Sequence, residues 1–486
     1  MEIKHQHPGT ILFFRMGDFY ELFHEDAQIA APVLGLALTS RDKNAKNPIP
    51  MAGFPWHALE DNLRIMLQSG FKVTVAEQEQ ELREGAKLLE RVVTRIYTPG
   101  SLYEESLLSS SDRSVLSSIV LAKSSLSMAV IDSSTGESWA STWLDDGRFS
   151  SLEDELLRWN PAEIVISPKD AENNELCAIF ANLSDCVISQ HSVNKKRRLE
   201  RLETILEVSD LGHLDLDNSP LSIEAAGFAA DYLAEVHFKD NIPLRNLEIV
   251  EETGHLVVDQ TTLRNLEITN TLSGEYEGSL ISSMNHCRTA MGRRLMKTWL
   301  LRPLHQIEAI ELRHSAVRTL KASSKRLDML RQNLTGLRDL ERLSTQLAYN
   351  RSNARDLLAT AHALERMPAI MQLCAETNDV LLSHLSEGLT ELTELAEYTV
   401  RTLKDELPVG LRDGQIIRDG VNHELDELRE ISSEGYNWFR ELEKKLRSEL
   451  SIPTLKIRSN RQIGWFIEVT NSHLEKVPIE WMRNSK

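Results

Sequence analysis

The chain has 486 residues, more than one hydrophobic core can serve, since single cores rarely grow past about 250 to 300 residues; three or four domains are expected. Its 41% hydrophobic and 26% charged residues are those of a globular protein. No apolar run approaches the roughly 20 residues that cross a bilayer, and Met1-Glu2-Ile3-Lys4-His5 is no signal peptide. The net charge of −18 excludes non-specific wrapping of nucleic acid by the whole surface, because phosphate contacts come from Lys and Arg. That charge is uneven: residues 1–100 carry 11 basic and 13 acidic side chains, residues 101–250 carry 12 and 26, and residues 444–486 carry 9 and 4. A near-neutral first hundred residues and a basic tail therefore remain open to an anionic partner. Cys177, Cys186, Cys287 and Cys374 form no CxxC and read as reduced thiols of a cytosolic chain.

In chain order, Ile11–Arg15 reads as a short apolar strand and 21–31 as a helix closed by Pro32 and Gly35. Leu36–Thr39 reads as a strand, and 40–48 as a polar loop carrying Arg41, Lys43 and Lys46. A helix over Ala58–Ser69 should end at Gly70, followed by strands at Lys72–Ala76 and Arg91–Tyr97, with Pro99-Gly100 as punctuation. Residues 1–100 are thus a small mixed α/β domain, and 101–114 a linker. Residues 115–245 repeat the mixed pattern, with strands at Ile119–Ala122, Ser127–Ile131, Glu137–Trp143 and Glu163–Ile166. The first three are spaced as a meander, which suits an RNase H-like sheet. From Thr261 the strand signal fades, and helices are expected at Ser283–Leu301, Gln306–Ala322, Leu327–Leu347, Ala354–Leu364 and Leu381–Lys404. Residues 246–436 form this helical body, whose low Gly and Pro content suits a rigid lever. Glu424–Leu450 is one long charged helix that breaks at Pro453, and Ile463–Val469 turns to strand, so 437–486 make a partial α+β unit. The fold class is multidomain α/β plus α.

The most informative stretch is Phe14-Arg15-Met16-Gly17-Asp18-Phe19-Tyr20-Glu21-Leu22-Phe23. A strand, a Gly-Asp turn and an aromatic pair at a helix start would put one ring in the core and leave the other exposed; packing of both rings inside is the plainer alternative. With Pro50-Met51-Ala52-Gly53-Phe54-Pro55-Trp56-His57-Ala58, Glu77-Gln78 and Thr98-Pro99-Gly100, this string closely resembles the mismatch-reading domain of the MutS family of DNA mismatch-repair proteins. The resemblance continues through Arg264-Asn265-Leu266-Glu267-Ile268, Met291-Gly292-Arg293-Arg294-Leu295-Met296-Lys297-Thr298-Trp299-Leu300 and Arg302-Pro303-Leu304, in the family's order.

The resemblance implies a mismatch-binding domain, an RNase H-like connector, a helical lever core and a partial DNA clamp. It implies that Phe19 enters the minor groove and stacks on a mispaired base, beside Glu21. Apolar wedges of this kind unstack a step and kink duplex DNA by roughly 20–90°, and a mispair is already poorly stacked, so deformability carries the discrimination. Glu21 is the wrong sign for affinity; its use would be selectivity, and a proton taken up in the field of the DNA would let it donate to a displaced base. Without the resemblance, Glu21 reads as a solvated residue in a helix's first turn. Arg15, Arg41, Lys43 and Lys46 are candidates for phosphate or sugar contacts flanking the wedge, with a merely solvated loop as the alternative; Met51 and Pro50, in the apolar turn beside them, either line the groove or pack in the core. Lys456, Arg458, Asn460, Arg461, Lys476 and Arg483 sit where the family's clamp touches duplex backbone.

Two further features invite other readings. Lys195-Lys196-Arg197-Arg198 resembles a nucleic-acid patch but reads better as a solvated helix start, and Asp132, Glu137 and Asp145 lack a spacing diagnostic of a metal nuclease. No Gly-x-x-x-x-Gly-Lys-Ser/Thr loop occurs in the sequence, so no cofactor is expected on these residues; ATP and Mg2+ are expected of a full-length family protein. The family also implies double-stranded DNA with mispairs or small loops as partner, a homodimer when full length, and a MutL-family protein docking on connector and core. The expected location is cytoplasmic, at the nucleoid. The chain is expected to be a fragment or a naturally shortened paralogue, largely monomeric, and a protein-interaction scaffold is the alternative function.

Overall fold

A computed structural model describes residues 2–481 apart from 41–46, 79–90, 109–112, 145–148, 184–185, 207–218, 240–241, 246, 251–254, 257, 390–391, 409, 412–413, 461–463 and 479–480. The chain divides into two compact units, Met1–Ala396 and Glu397–Lys486.

The first unit opens with α1 (Glu2–Gln6), β1 (Ile11–Met16), β2 (Phe19–Phe23), α2 (His24–Leu34), β3 (Thr39–Ser40), β4 (Pro50–Pro55), α3 (Leu59–Gln68), β5 (Val73–Gln78) and β6 (Arg91–Tyr97). Among the described residues these strands form one sheet in the order β3-β4-β2-β1-β5-β6; β1 and β5 run parallel and the other pairs antiparallel. Two expectations change here. The aromatic pair lies on a strand, not at a helix start, and Pro50–Pro55 is a strand, not a turn. Phe19–Phe23 is apolar enough for either period, but β1 and β4 pair with it on both sides, and that non-local pairing fixes period two. One face carries Phe13, Tyr20 and Phe54, with Phe13–Phe54 ring centroids 5.0 Å apart and Tyr20–Phe54 5.6 Å apart. Ala27, Ala30 and Ala31 of α2 and Leu63, Met66 and Leu67 of α3 close over that face. Asp26 in the first turn of α2 accepts from Leu12 N at 3.0 Å and pairs with Lys4 at 2.6 Å, tying α1 and β1 to the helix start.

Next come β7 (Val115–Leu121), β8 (Ser125–Asp132), β9 (Ser138–Leu144), α4 (Ser150–Trp159), β10 (Glu163–Ile166), α5 (Asn174–Ala181), β11 (Val187–Gln190), α6 (Lys195–Leu206), α7 (Pro220–His237) and β12 (Leu247–Ile249). The sheet order is β11-β10-β7-β8-β9-β12. Strands β7, β8 and β9 form the expected antiparallel meander, while β10 joins β7, β11 joins β10 and β12 joins β9 in parallel. Helix α7 covers one face with Ala225, Phe228, Ala229 and Leu233; Leu152 and Leu156 of α4 and Leu176 and Ile179 of α5 cover the other. Helices α6 and α7 cross tightly at Gly227, where a Cβ would stand 2.1 Å from the Arg198 carbonyl oxygen. The two domains are fastened by the fully buried Glu163, which accepts from Tyr232 (2.5 Å) and Ser189 and lies 3.3 Å from Lys72 of the first domain.

The helical body follows as α8 (Gln260–Asn265), α9 (Leu280–Met284), α10 (Ala290–Leu301), α11 (Ile307–Lys321), α12 (Ser324–Leu334), α13 (Leu340–Ala348), α14 (Ala354–Leu364), α15 (Met367–Ala375), α16 (Val380–Glu387) and α17 (Thr393–Thr402). Three long expected helices are each divided, and local capping explains two of the breaks. Thr289 caps α10 by accepting from Gly292 N, and Asp339 caps α13 by accepting from Arg342 N, just after Gly336 turns at φ +74°. The third break, between α16 and α17, follows Gly388.

In the second unit α18 (His423–Glu449) is the long charged helix, followed by the antiparallel hairpin of β13 (Lys456–Asn460) and β14 (Gly464–Glu468). Trp465 stacks on Phe439 of α18 at 4.0 Å, and Glu443 accepts from Ile457 N at 2.8 Å, which seats the hairpin on the helix.

Among the described residues no helix is long and apolar enough to cross a membrane, and no group of three His, Cys, Asp or Glu side chains is placed to hold a metal ion.

Candidate nucleic-acid interface

The hairpin β1–β2 decides where the aromatic pair points. Gly17 takes φ +61° in the turn, and Met16 pairs with Phe19, Arg15 with Tyr20 and Phe14 with Glu21. Alternation then sends Tyr20 and Leu22 into the helix-covered core, at 1% and 0% exposure, and Phe19 to the other face, at 49%. Glu21 is partly buried on the same face as Phe19, opposite Gly53 of β4. A Cβ at Gly53 would lie 2.9 Å from the Tyr20 carbonyl oxygen and 3.7 Å from Glu21 Cγ, so glycine gives this carboxylate its room. Met51 pairs with Phe23 and shares the face, partly buried.

Beneath Phe19 the mount is stiff. The Tyr20 hydroxyl donates to Glu77 of β5, and burial followed by that carboxylate pushes the phenol well above its ordinary range. The Trp56 N–H donates to the Asp18 carbonyl at 2.9 Å, pinning the turn to the end of β4. A wedge must transmit force to the strand it stands on, and this strand is hydrogen-bonded on both edges.

The candidate cations are distributed differently from the linear sequence. Arg15 lies in the register of the core face, opposite in sense to Phe19 and Glu21. Its guanidinium sits over the Tyr20 and Trp56 rings at 5.2 and 5.3 Å and donates from Nε to the Gly17 carbonyl at 2.5 Å. Arg41, Lys43 and Lys46 lie outside the described residues, as do Arg461 and Arg483. A cation that sequence reasoning missed is Arg91, which stands opposite Gln78 with its guanidinium 5.7 Å from the Phe14 ring, on the face of Glu21. Trp56, 51% exposed beside the Phe19 turn, is a second aromatic surface that was passed over. Neither carried a local signal, because each reaches the site through strand pairing.

In the second unit, Lys456 and Arg458 are exposed on the hairpin face opposite Trp465, and Arg458 Nε pairs across the strands with Glu468 at 2.9 Å. Asn460 ends the same strand. Lys476 donates to the Ser451 carbonyl at 3.1 Å.

The other two features resolve as internal contacts. Lys195 and Arg198 pair with Glu224, and Arg197 and Arg201 with Asp231, so the basic run is a clasp between α6 and α7 and not wholly a solvated helix start. Burial pushes the Asp231 carboxyl up, but hydrogen bonds from His191 and Arg197 prevail and hold it at about 2. Asp132 and Glu137 both face Arg113, at 3.8 and 3.6 Å; Asp145 lies outside the described residues.

An α/β domain with a rigidly mounted, half-exposed ring, a second α/β domain and a helical body define a multidomain protein of mixed α/β and helical class. Residues 1–106, 114–247 and 261–463 match the descriptions MutS domain I, MutS domain II and MutS domain III. Across 99% of its length the chain is 34% identical to the DNA mismatch repair protein MutS of Halothermothrix orenii, covering 54% of that protein. It is likewise 34% identical to that of Syntrophomonas wolfei and 32% to that of Methanosarcina barkeri, covering 57% and 56% of them. The chain belongs to the MutS family and spans about half the length of the curated relatives it matches.

Proposed function

We propose that this chain recognises mispaired or damaged duplex DNA, with Phe19 as a minor-groove wedge and Glu21 as the selecting group. The observation that carries the reading is the split within one strand: Phe19 half exposed, its neighbour Tyr20 buried and bonded to Glu77. An aromatic held out by a strand that cannot yield will unstack the base step that resists least, and stacking on a base contributes about 1–3 kcal/mol. Glu21 adds no affinity for phosphates; it disfavours an intact duplex, where it finds no donor, over a mispair with an unpaired base edge. Residues 1–100 act as the mismatch-binding domain and 101–114 as its linker. Residues 115–245 are an RNase H-like connector, supported by the order β9-β8-β7-β10-β11 with its antiparallel meander and two added parallel strands. Residues 246–436 serve as lever, and 437–486 hold backbone through Lys456 and Arg458.

For the longer proteins of the family the reading extends to ATP with Mg2+, a homodimer and a MutL-family partner. The sequence has no Gly-x-x-x-x-Gly-Lys-Ser/Thr loop, so ATP and Mg2+ are proposed for the longer proteins and given no role on these residues. A duplex with 2-aminopurine beside a G·T mispair tests the wedge: fluorescence should rise on adding the chain and stay flat with Phe19→Ala. No salt-dependent affinity for any duplex would instead favour a protein-binding scaffold.

A further inference from the structure

Away from the reading face, a cavity of about 390 Å3 lies within the first unit where the two α/β domains meet α10. Small-molecule sites have volumes of this order, favour domain junctions, and combine apolar walls with a few polar groups. Leu67, Leu107, Trp159, Pro161 and Leu301 supply the apolar wall. The charged wall is Arg64, Arg113, Arg158, Arg294, Lys297 and Arg302, with no Asp or Glu among the described lining residues.

The neutralising carboxylates stand behind these cations. Asp132 and Glu137 face Arg113, and Asp339, at 2.7 Å, pairs with Arg294 together with Glu341. Glu155 pairs with both Arg158 and Arg302 and lines the adjoining smaller cavity instead. Glu155 ion-pairs with both guanidiniums, while Glu248 acts on Arg302 and Asp154 on Arg158 from farther off, so the corner presents paired guanidiniums to the cavity and keeps their carboxylates outside its wall. Both arginine side chains are largely buried, at 9% and 11% exposure, where charge is poorly screened. Burial, the largest cause, pulls Arg302 below the usual guanidinium range against the raising effect of Glu155. Arg302 and Arg113 lie over the Trp159 ring at 4.9 and 5.9 Å, and the buried Arg158 Nε finds no acceptor among the described residues.

We propose that this cavity binds a small amphipathic anion, with a flat apolar body against Trp159 and the leucines and a phosphate, sulfonate or carboxylate at the Arg158–Arg302 corner. Its walls come from both α/β domains and from α10, so the ligand binds when these are docked and by linkage stabilises the docked arrangement. The site is independent of the reading of Phe19 and stands if that reading fails.

The test is calorimetric titration of the whole chain with 1-naphthyl phosphate, with 1-naphthol and inorganic phosphate as half-ligands. Saturable one-to-one binding is expected, at least about tenfold tighter than either half-ligand, with a rise in Tm. A rim variant carrying Arg64→Glu and Lys297→Glu should lose about tenfold or more, and Ala162→Leu should lose a similar factor by filling the space. Thermal melts report whether each variant folds; should Ala162→Leu unfold, the rim variant decides alone. No saturation by about 1 mM, equal affinity for 1-naphthol, or unchanged affinity in the folded variants overturns the proposal.

Discussion

Phe19 and Tyr20 are adjacent aromatic residues with opposite burial, and their substitutions should separate cleanly. Tyr20→Ala removes a ring packed against Phe13 and Phe54 and should destabilise the fold by about 3–5 kcal/mol. Phe19→Ala removes a half-exposed ring and should change stability by less than about 0.5 kcal/mol in urea unfolding. Comparable losses for both would show that Phe19 is a core residue. Glu21→Gln removes a negative charge from the reading face, so affinity for fully paired duplex should rise several-fold while the preference for a mispair shrinks. A fall in paired-duplex affinity would remove Glu21 from the selecting role. The sequence placed these residues side by side but could not choose between the rings, since residue type says nothing about which neighbour a strand register buries.

At the scale of elements, the β1–β2 hairpin was half legible. The Gly-Asp turn and β1 were readable from local signals, whereas β2 looked helical until β4 was seen to pair with it. The same non-locality hid the partners of Lys195–Arg198, because Glu224 and Asp231 lie on α7, beyond an intervening segment. That clasp makes a pH prediction. Asp231 is depressed to about 2 in the fold, so its contribution is fully present above the ordinary carboxylate range and is lost as pH falls from about 4 towards 2. The shift corresponds to about 2 kcal/mol, and Asp231→Asn should remove that part of the acid sensitivity in urea titrations at pH 6 and pH 3. An unchanged acid response would place the sensitivity elsewhere. Gly227→Ala, whose Cβ would meet the Arg198 carbonyl, should force α6 from α7 and destabilise by about 1–3 kcal/mol.

For the molecule as a whole, composition was the least specific guide. A charge of −18 argued against DNA until its distribution was followed, and even then the exposed cations on the described part of the tail hairpin are few. Hold should therefore be modest: the logarithm of the binding constant is expected to fall against the logarithm of salt with a slope of about −2 to −4, or roughly two to four phosphates neutralised. A slope steeper than about −7 would require a basic surface that Lys456 and Arg458 do not provide. The order α/β, α/β, helical body was legible because periodicity and turn chemistry are local. The helix breaks before α13 and α17 were not foreseen, since the apolar pattern runs on past them. What separates this account from a general DNA-affinity protein is discrimination by one side chain. The most direct measurement is the ratio of affinities for a G·T heteroduplex and its paired homoduplex, for the unsubstituted chain and for Phe19→Ala, at one salt concentration. The account predicts a clear preference, about tenfold or more, that collapses to near unity in Phe19→Ala; equal ratios for the two proteins would contradict it.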